Sequence, residues 1–490
     1  MSRGTCCIVL HTHLPWLPHH GSWPVGEEWL YQAWSGAYLP LAQLLGRLAD
    51  EGRTDQLTVG LTPVLASMLD DAYCLDAMHT WLGTWQVRAE GAAVRGVATA
   101  AYEGTLAAQA LRVFERDWAA GASPLLRRLV ESGVVELLGG PAAHAFTPFV
   151  PAAVADFGLR AGLDDTEMRL GRRPEGIWAP ECAYTPGLED LYARRGVRRF
   201  LVDGPTVHGD TGAPVDVAGS GVIAFARDLE VTYRVWSPRR GYPGGPAYRD
   251  FHTFDHDSGL RAARVTSRHT EPEHKRPYRP ERAAEALRRD VDDFVAHVVR
   301  RLDTLPQDDP LVVCAYDTEL FGHWWHEGPR FLDGVLRALP EAGVRVTTLR
   351  RAAETMRAEP RDLPAGSWGM GKDFHVWQVP ELQATQDDVA ERLLRLCAKR
   401  IDRIPHDAAY DQLAREALLA LASDWPFCVT HQSAADYARD RLSGHARAFA
   451  AIADPLEAGD PARALRAARL SYRRDYPFPR LDARQVPVGG

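Results

Sequence analysis

Short apolar runs recur along the first two-thirds of the chain, and most stop on glycine, proline, an acid or a histidine. They cover residues 6–10, ending at His11-Thr-His13, then 57–61, ending at Thr62-Pro63, and 134–138, ending at Gly139-Gly140. Next come 176–178, ending at Ala179-Pro-Glu181, 199–202, ending at Asp203-Gly204, and 222–225, ending at Ala226-Arg-Asp228. Residues 311–315 run into Asp317, and 344–348 is the last of the set. Runs of this length bounded by turn residues read as buried strands. Between many of them, Ala/Leu/Arg-rich stretches at 38–50, 107–133, 152–170, 281–302 and 330–339 carry helical periodicity. Strands alternating with helices predict a parallel α/β barrel or sheet. Polar residues gather just past the strand ends, where barrel enzymes keep their sites.

The pattern changes near Arg361. A Trp/Gly loop at 367–378 is followed by helical periodicity at 385–403, 408–422, 433–453 and 461–474. This predicts a barrel over residues 1–360 and a C-terminal helical domain, or helical layer, over 361–490. There is no internal repeat or low-complexity segment. The stretches 241–247 and 269–279 read as loops.

Composition narrows the class. With 490 residues and 46% hydrophobic content, the chain can bury a large core. The net charge of -8, without a basic stripe, argues against nucleic acid as a partner. No run reaches about 18 apolar residues, so no membrane span is expected, and no signal peptide precedes the first strand. Positive charge is almost all arginine; the lysines are Lys275, Lys372 and Lys399. High-GC codon usage accounts for that bias better than any arginine-specific function. The seven cysteines contain no C-x-x-C pair, which points to a reduced, cytoplasmic protein.

The strand at 311–315 leads into Asp317 and Glu319, followed by His323, Trp324, Trp325 and His326. In an extended strand, residues i and i+2 share a face. Acids beside flat aromatic surfaces suit sugar chemistry, because carboxylates do acid–base or nucleophilic work and indoles stack on apolar sugar faces. The plainer reading is a salt-bridging pair. Glu181 follows another strand; it is either a second catalytic acid across the barrel mouth or a loop carboxylate. His11 and His13 end the first strand with their imidazoles on one face. Together with Glu136, His144 or an Asp they suit zinc or hydrogen bonding to substrate hydroxyls. Trp368, Trp377 and Trp425 are candidates for ligand contact, although burial is the usual fate of tryptophan.

Taken in order, these strings resemble glycoside hydrolase family 57, and within it the α-1,4-glucan branching enzymes. The matching pieces are His11-Thr-His13, Glu136-Leu-Leu-Gly-Gly140 with His144, Trp178-Ala-Pro-Glu-Cys-Ala-Tyr184, Asp317-Thr-Glu-Leu-Phe-Gly-His-Trp-Trp325, and the Trp368/Trp377 loop followed by Ser423-Asp-Trp425. The segments 26–31 and 235–244 also resemble that branch. The resemblance covers nearly the whole chain. It implies a distorted (β/α)7 TIM-like barrel with an inserted helical region and a C-terminal helical domain that lends tryptophans to the cleft. It implies a retaining transfer of α-1,4-glucan segments to 6-hydroxyls, with no cofactor and no metal, by a monomer or homodimer. Glu181 matches the nucleophile and Asp317 the general acid/base. His11, His13 and His144 match residues around the cleaved sugar. Trp29, Trp236, Trp368, Trp377 and Trp425 match aromatic cleft positions, and Glu319, His323, Trp324 and Asp424 are further substrate-binding candidates. The implied polymer is glycogen-type or, in high-GC bacteria, a methylated glucose polymer.

One stretch departs from the family pattern. Branching members carry a longer loop after the fifth strand with a tyrosine at its tip, whereas residues 204–224 hold no Phe, Tyr or Trp and only His208 as a bulky polar group. A short open loop predicts hydrolysis alongside branching, or the use of short acceptors. The rival functions are an α-amylase or 4-α-glucanotransferase on the same site, a metal-dependent polysaccharide deacetylase built on His11, His13 and Asp317, and a non-catalytic glucan-binding protein.

Overall fold

The structure is a computed structural model that describes residues 2–237, 240–399 and 406–487. Pro238 and Arg239, within the 235–244 motif, and the end of the expected 385–403 helix lie outside the described residues. Nine strands are described: β1 (Thr5–Thr12), β2 (Leu57–Leu61), β3 (Val135–Leu138), β4 (Arg199–Asp203), β5 (Val215–Val217), β6 (Ile223–Arg227), β7 (Leu311–Asp317), β8 (Arg345–Val346) and β9 (Glu359–Arg361).

The pairings close a ring. One sheet runs β3-β2-β1-β7, all parallel, and β4 pairs parallel with β6. Residues 176–177 bridge the two, since Ile177 pairs parallel with Gly139 just past β3, and Gly176 with Arg199 of β4. The Asp228 amide at the end of β6 donates to Val313 O of β7 at 2.8 Å, completing the circle. Counting the short 176–177 segment, seven parallel staves form the ring, as the family resemblance implies.

Alternation along the strands fills it. Cys7 and Val9 of β1, Leu138, Trp178, Leu201, Phe225, and Leu311, Val313 and Ala315 of β7 pack into one buried cluster, the barrel interior. Leu349 and Ala352, from the helix Leu349–Thr355, join that cluster. The intervening residues Cys6, Ile8 and Leu10 face the surrounding helices. Because side chains alternate with period two, continuing the inward sets by one step places His11 and Asp317 at the mouth. Their strands pair them directly, His11 opposite Asp317.

The helical insertion lies between β2 and β3. The expected 107–133 helix is instead two helices, Ala100–Val113 and Ala122–Glu131, separated by a wide turn at Phe114–Trp118 and by Gly121 in a left-handed conformation (φ 88°). Ahead of them runs Ala72–Val94, which the periodicity did not reveal because it is half-exposed along its length. After residue 379 the chain is helical as expected: Pro380–Ala398, Ala408–Ala420, Asp424–Thr430, Ala435–Glu457 and Pro461–Tyr472. The chain just past the last of these helices is tied to the segment after β1 by polar contacts. Trp16 Nε1 donates to Arg474 O at 2.8 Å, and His20 Nε2 lies 2.7 Å from Asp475.

Candidate active site

Glu181 stands on backbone that only a reinforced turn tolerates. It follows Pro180 with φ 62° and ψ 20°, the left-handed region, which costs a non-glycine residue about 1–2 kcal/mol. Trp368 N donates to Glu181 O at 2.9 Å, and Tyr184 pairs with Gly366 on the far side, clamping the turn from both flanks. The strained turn holds the carboxylate inward, where Ser423 Oγ donates to Oε1 at 2.7 Å and Trp368 Nε1 to Oε2 at 2.8 Å. Strain of this kind concentrates at functional sites.

The C-terminal region completes the cluster. Ala422 bridges Ala145, and Ser423 N donates to His144 O at 3.0 Å, so the 422–424 segment is stitched to the loop after β3. His144 Nδ1 lies 2.9 Å from Ser423 Oγ, and His13 Nε2 lies 3.1 Å from both Asp424 oxygens. The imidazoles form a stack: His13 on His144 with centroids 3.9 Å apart, His144 on His11 at 4.9 Å, and His11 on Trp178 at 4.2 Å.

Electrostatics divides these groups. Burial drives His11 and His144 well below the usual imidazole range, and the neighbouring His13 adds to that, so both are neutral. Burial pulls His13 down as well, but Asp424, Glu181 and Glu319 outweigh it and hold His13 above its ordinary value. Burial lifts three of the carboxyl groups: Asp317 to about 6, Glu181 to about 7 and Glu319 to about 8. Arg227 and His13 restrain Asp317, two donors restrain Glu181, and the Asp317 charge raises Glu319 further. The groups lie in one another's field, so their protons come off in steps belonging to the set.

Hydrogen bonding separates the two principal acids. Glu181 accepts from two side-chain donors, which favours its charged form, although its proton is held more tightly than that of Asp317. A carboxylate with fixed donors suits a nucleophile, and one held chiefly by distant charges suits proton exchange.

Other expected residues fall in different places. Glu319 is not on the strand face shared with Asp317: β7 ends at Asp317, and the tight turn Thr318–Leu320 sends Glu319 into the interior, where Tyr38 donates to it at 2.5 Å. Trp377 and Trp425 are interior residues at 1% and 2% exposure, not cleft walls. Trp377 stacks on Phe146 at 4.6 Å, while Trp425 Nε1 donates to Leu419 O and its ring carries Arg441 at 5.0 Å. Both brace the segments that present His144, Ser423 and Trp368. Trp368 is half-buried, with Arg227 5.2 Å above its ring. Trp236 and Trp324 are exposed at 42% and 38%, with ring centroids 5.9 Å apart. Trp29 packs edge-on to Tyr437 at 6.0 Å, and His323 lines a separate cavity. Glu136 lies away from the mouth, neutralised by Arg199 at 2.6 Å and bonded by Thr58.

Several residues of the site were not named from sequence. Ser423 lay inside the quoted Ser-Asp-Trp string, yet a lone serine carries no signal until its distance to Glu181 is known. Arg227, which ion-pairs with buried Asp203 at 2.7 Å, and Lys372, which reaches Asp203 at 2.9 Å, frame Trp368 from behind. Among the described residues, His13, His144 and Asp424 offer ligand atoms within 4.8 Å of one another, a set with the composition to hold a cation. The set weighed from sequence, His11, His13 and Asp317, is not the one that converges. Residues 204–224 fold back after a short turn: β5 pairs antiparallel with β6, and Gly212 O accepts from Leu311 N, so the loop is sewn to the barrel wall.

The seven cysteines are free thiols, and no helix among the described residues is long and apolar enough to cross a membrane.

Residues 7–365 match the glycosyl hydrolase family 57 model, and residues 386–486 match the model described as 1,4-alpha-glucan branching enzyme, C-terminal. A Mycobacterium tuberculosis protein described as a probable 1,4-alpha-glucan branching enzyme is 50% identical, covering 99% of this chain and 98% of its own. The crystal structure of a branching enzyme from Pyrococcus horikoshii superposes with a TM-score of 0.93 at 30% identity, over 99% of this chain and 97% of that one. That of an α-amylase from Thermotoga maritima superposes with a TM-score of 0.88 at 27% identity, over the whole of both. With the seven-staved ring and the strand-end acids of its mouth, the chain belongs to glycosyl hydrolase family 57.

Proposed function

We propose that this protein is a 1,4-α-glucan branching enzyme working by double displacement. The observation that carries the reading is the setting of Glu181: a strained turn, two donors to its carboxylate, and a buried neighbourhood shared with Asp317. Ionised Glu181 attacks the anomeric carbon of an α-1,4-linked glucose while Asp317 gives its proton to the departing 4-oxygen, leaving a glycosyl ester. Asp317, now a base, takes the proton of an acceptor 6-hydroxyl as that oxygen attacks the anomeric carbon and releases Glu181. Neutral His11 and His144 are suited to bonding sugar hydroxyls, and the His13–Asp424 pair offers both a donor and an acceptor. The division into a barrel of residues 1–360 and a helical domain of 361–490 belongs to this reading, the latter supplying Ser423 and Asp424 to the mouth.

A second reading has its own support. The 204–224 loop is folded against the wall rather than over the mouth, and an α-amylase shares the fold closely. Without a cover from this loop, water competes with the acceptor for the glycosyl ester. We therefore assign hydrolysis as a side activity. Incubation with linear α-1,4-glucan, scored for new α-1,6 links against new reducing ends, tests both. Both products are expected; reducing ends without α-1,6 links would replace branching by hydrolysis.

A further inference from the structure

A second cavity of about 280 Å³ opens outside the catalytic cluster, where the helical insertion meets the segments after β1 and β7. Its volume sits near the lower end of the ~300–1,000 Å³ typical of ligand pockets. Trp81 and Trp85, one helical turn apart on Ala72–Val94, line one side. Each indole is pinned at its edge: Trp81 Nε1 donates to Glu28 at 2.9 Å, and Trp85 Nε1 to Glu103 at 3.1 Å. Pinning the N–H edge fixes the ring plane.

The remaining lining mixes aliphatic residues, among them Leu39, Leu106 and Leu260, with polar and charged ones. Arg88 lies over the Trp81 ring at 5.5 Å, and its Nε is buried without a hydrogen-bond partner. Arg249 pairs with Glu103 at 2.5 Å, while Arg261 bonds Phe251 O and Gln32. Glu28, Glu103, Glu327 and Asp333 share the wall with Arg47, Arg88, Arg249, Arg261 and Arg330. A lining that carries both signs fits a neutral, hydroxyl-rich ligand better than an anion. Flat aromatic rings beside guanidinium, carboxylate and amide groups are the chemistry that recognises a hexose: stacking on one face, paired hydrogen bonds to neighbouring hydroxyls.

The cavity also adjoins the catalytic loop. Gly322 and His323 form part of its wall, a few residues beyond Asp317. Gly322 packs so closely on Gly36 that a side-chain carbon at either would collide with the other's backbone. Two residues on from Gly36, Tyr38 holds Glu319.

We propose that this cavity is a second α-glucan-binding site, which captures a stretch of a long chain while another part of a polymer reacts at Glu181. The inference rests on the branching-enzyme reading. It is tested by electrophoresis of the protein through gels containing glycogen, together with turnover of maltohexaose and of long amylose. The variants are Trp85→Ala and Ala110→Trp; Ala110 lines the cavity, and the larger ring fills it without deleting any group. Both are expected to weaken retention by glycogen roughly three- to tenfold, the worth of one aromatic contact, and to raise KM for amylose by a similar factor. Turnover of maltohexaose is expected to stay within about twofold, since that chain is too short to need a second site. Should Trp85→Ala fail to fold, Ala110→Trp decides alone. Folded variants retained like the parent overturn the proposal and leave the function standing. An unmodified protein that neither acts on amylose nor is retarded by glycogen overturns the function first, and this site with it.

Discussion

Ser423 Oγ donates to Glu181 Oε1 at 2.7 Å, and the same hydroxyl lies 2.9 Å from His144 Nδ1. A hydroxyl that gives its hydrogen to the carboxylate can only accept from the imidazole, so His144 carries its proton on Nδ1. That leaves Nε2, buried without a partner, as an acceptor. Removing the hydroxyl in Ser423→Ala deletes a donor to the charged form of Glu181 and raises its proton affinity by about one pK unit. The active state needs Glu181 ionised and Asp317 protonated, so the optimum lies midway between their pKa values whichever is higher. With values of about 7 and 6, the kcat/KM profile should be a bell centred between them. In Ser423→Ala the centre should move up by about half a unit and the peak fall roughly tenfold. A centre that stays put would remove the link between this hydroxyl and the nucleophile.

The two acids should fail differently. Asp317→Asn cannot protonate a sugar leaving group, and turnover of glucan should drop by roughly 10²–10⁴. With α-maltosyl fluoride, whose leaving group needs no proton, the first step should recover. Glu181→Gln should recover with neither donor, because the covalent step itself is lost. The check is release of fluoride in the first seconds after mixing; equal loss in both variants would refute the assignment of roles.

The barrel was legible because inward positions on β1 and β7 are apolar up to the point where they meet the mouth. Cys7 and Val9 precede His11, and Val313 and Ala315 precede Asp317, so a switch from apolar to ionisable marks the rim in the sequence itself. What the sequence withheld depends on contacts between distant segments. Ser423 lies 242 positions from Glu181 and gains meaning only where 422–423 is stitched to 144–145. Glu319 misled because strand periodicity was carried one step too far: the chain turns at Thr318, and two residues then no longer share a face. Trp377 follows a glycine-rich loop and Trp425 stands beside Pro426, sequence contexts that resemble ligand walls, yet packing on Phe146 and Arg441 takes them inside.

Glu319 imposes a cost that depends on pH. Its folded pKa is raised to about 8, chiefly by burial and next by Asp317, against about 4.3 in the unfolded chain. Between those values the unfolded state has released its proton and the folded state has not, so stability falls as pH rises through that window. Glu319→Gln keeps an acceptor for Tyr38 and cannot ionise. Its melting temperature relative to the parent should therefore climb between about pH 4.5 and 8 and then level off. Parallel melting curves across that range would show that Glu319 does not titrate as described.

Trp236 and Trp324 should act on binding, and Trp368 on turnover. The first two are exposed and close to each other, with ring centroids 5.9 Å apart. The indole of Trp368 donates directly to Glu181. A contact made equally in the ground and transition states changes KM alone, whereas one that orients or charges the nucleophile changes kcat. Trp236→Ala and Trp324→Ala are each expected to raise KM for amylose roughly three- to tenfold with kcat nearly unchanged. Because the rings are neighbours, the double variant should lose less than the product of the two single losses. Trp368→Phe keeps an aromatic face under Arg227 but loses the donor. It should lower kcat by roughly ten- to a hundredfold, leave KM close to that of the parent, and move the pH optimum upward as Ser423→Ala does. Opposite patterns, with Trp368→Phe changing KM alone and the exposed pair changing kcat, would place the reacting sugar against Trp236 and Trp324 rather than beside Glu181.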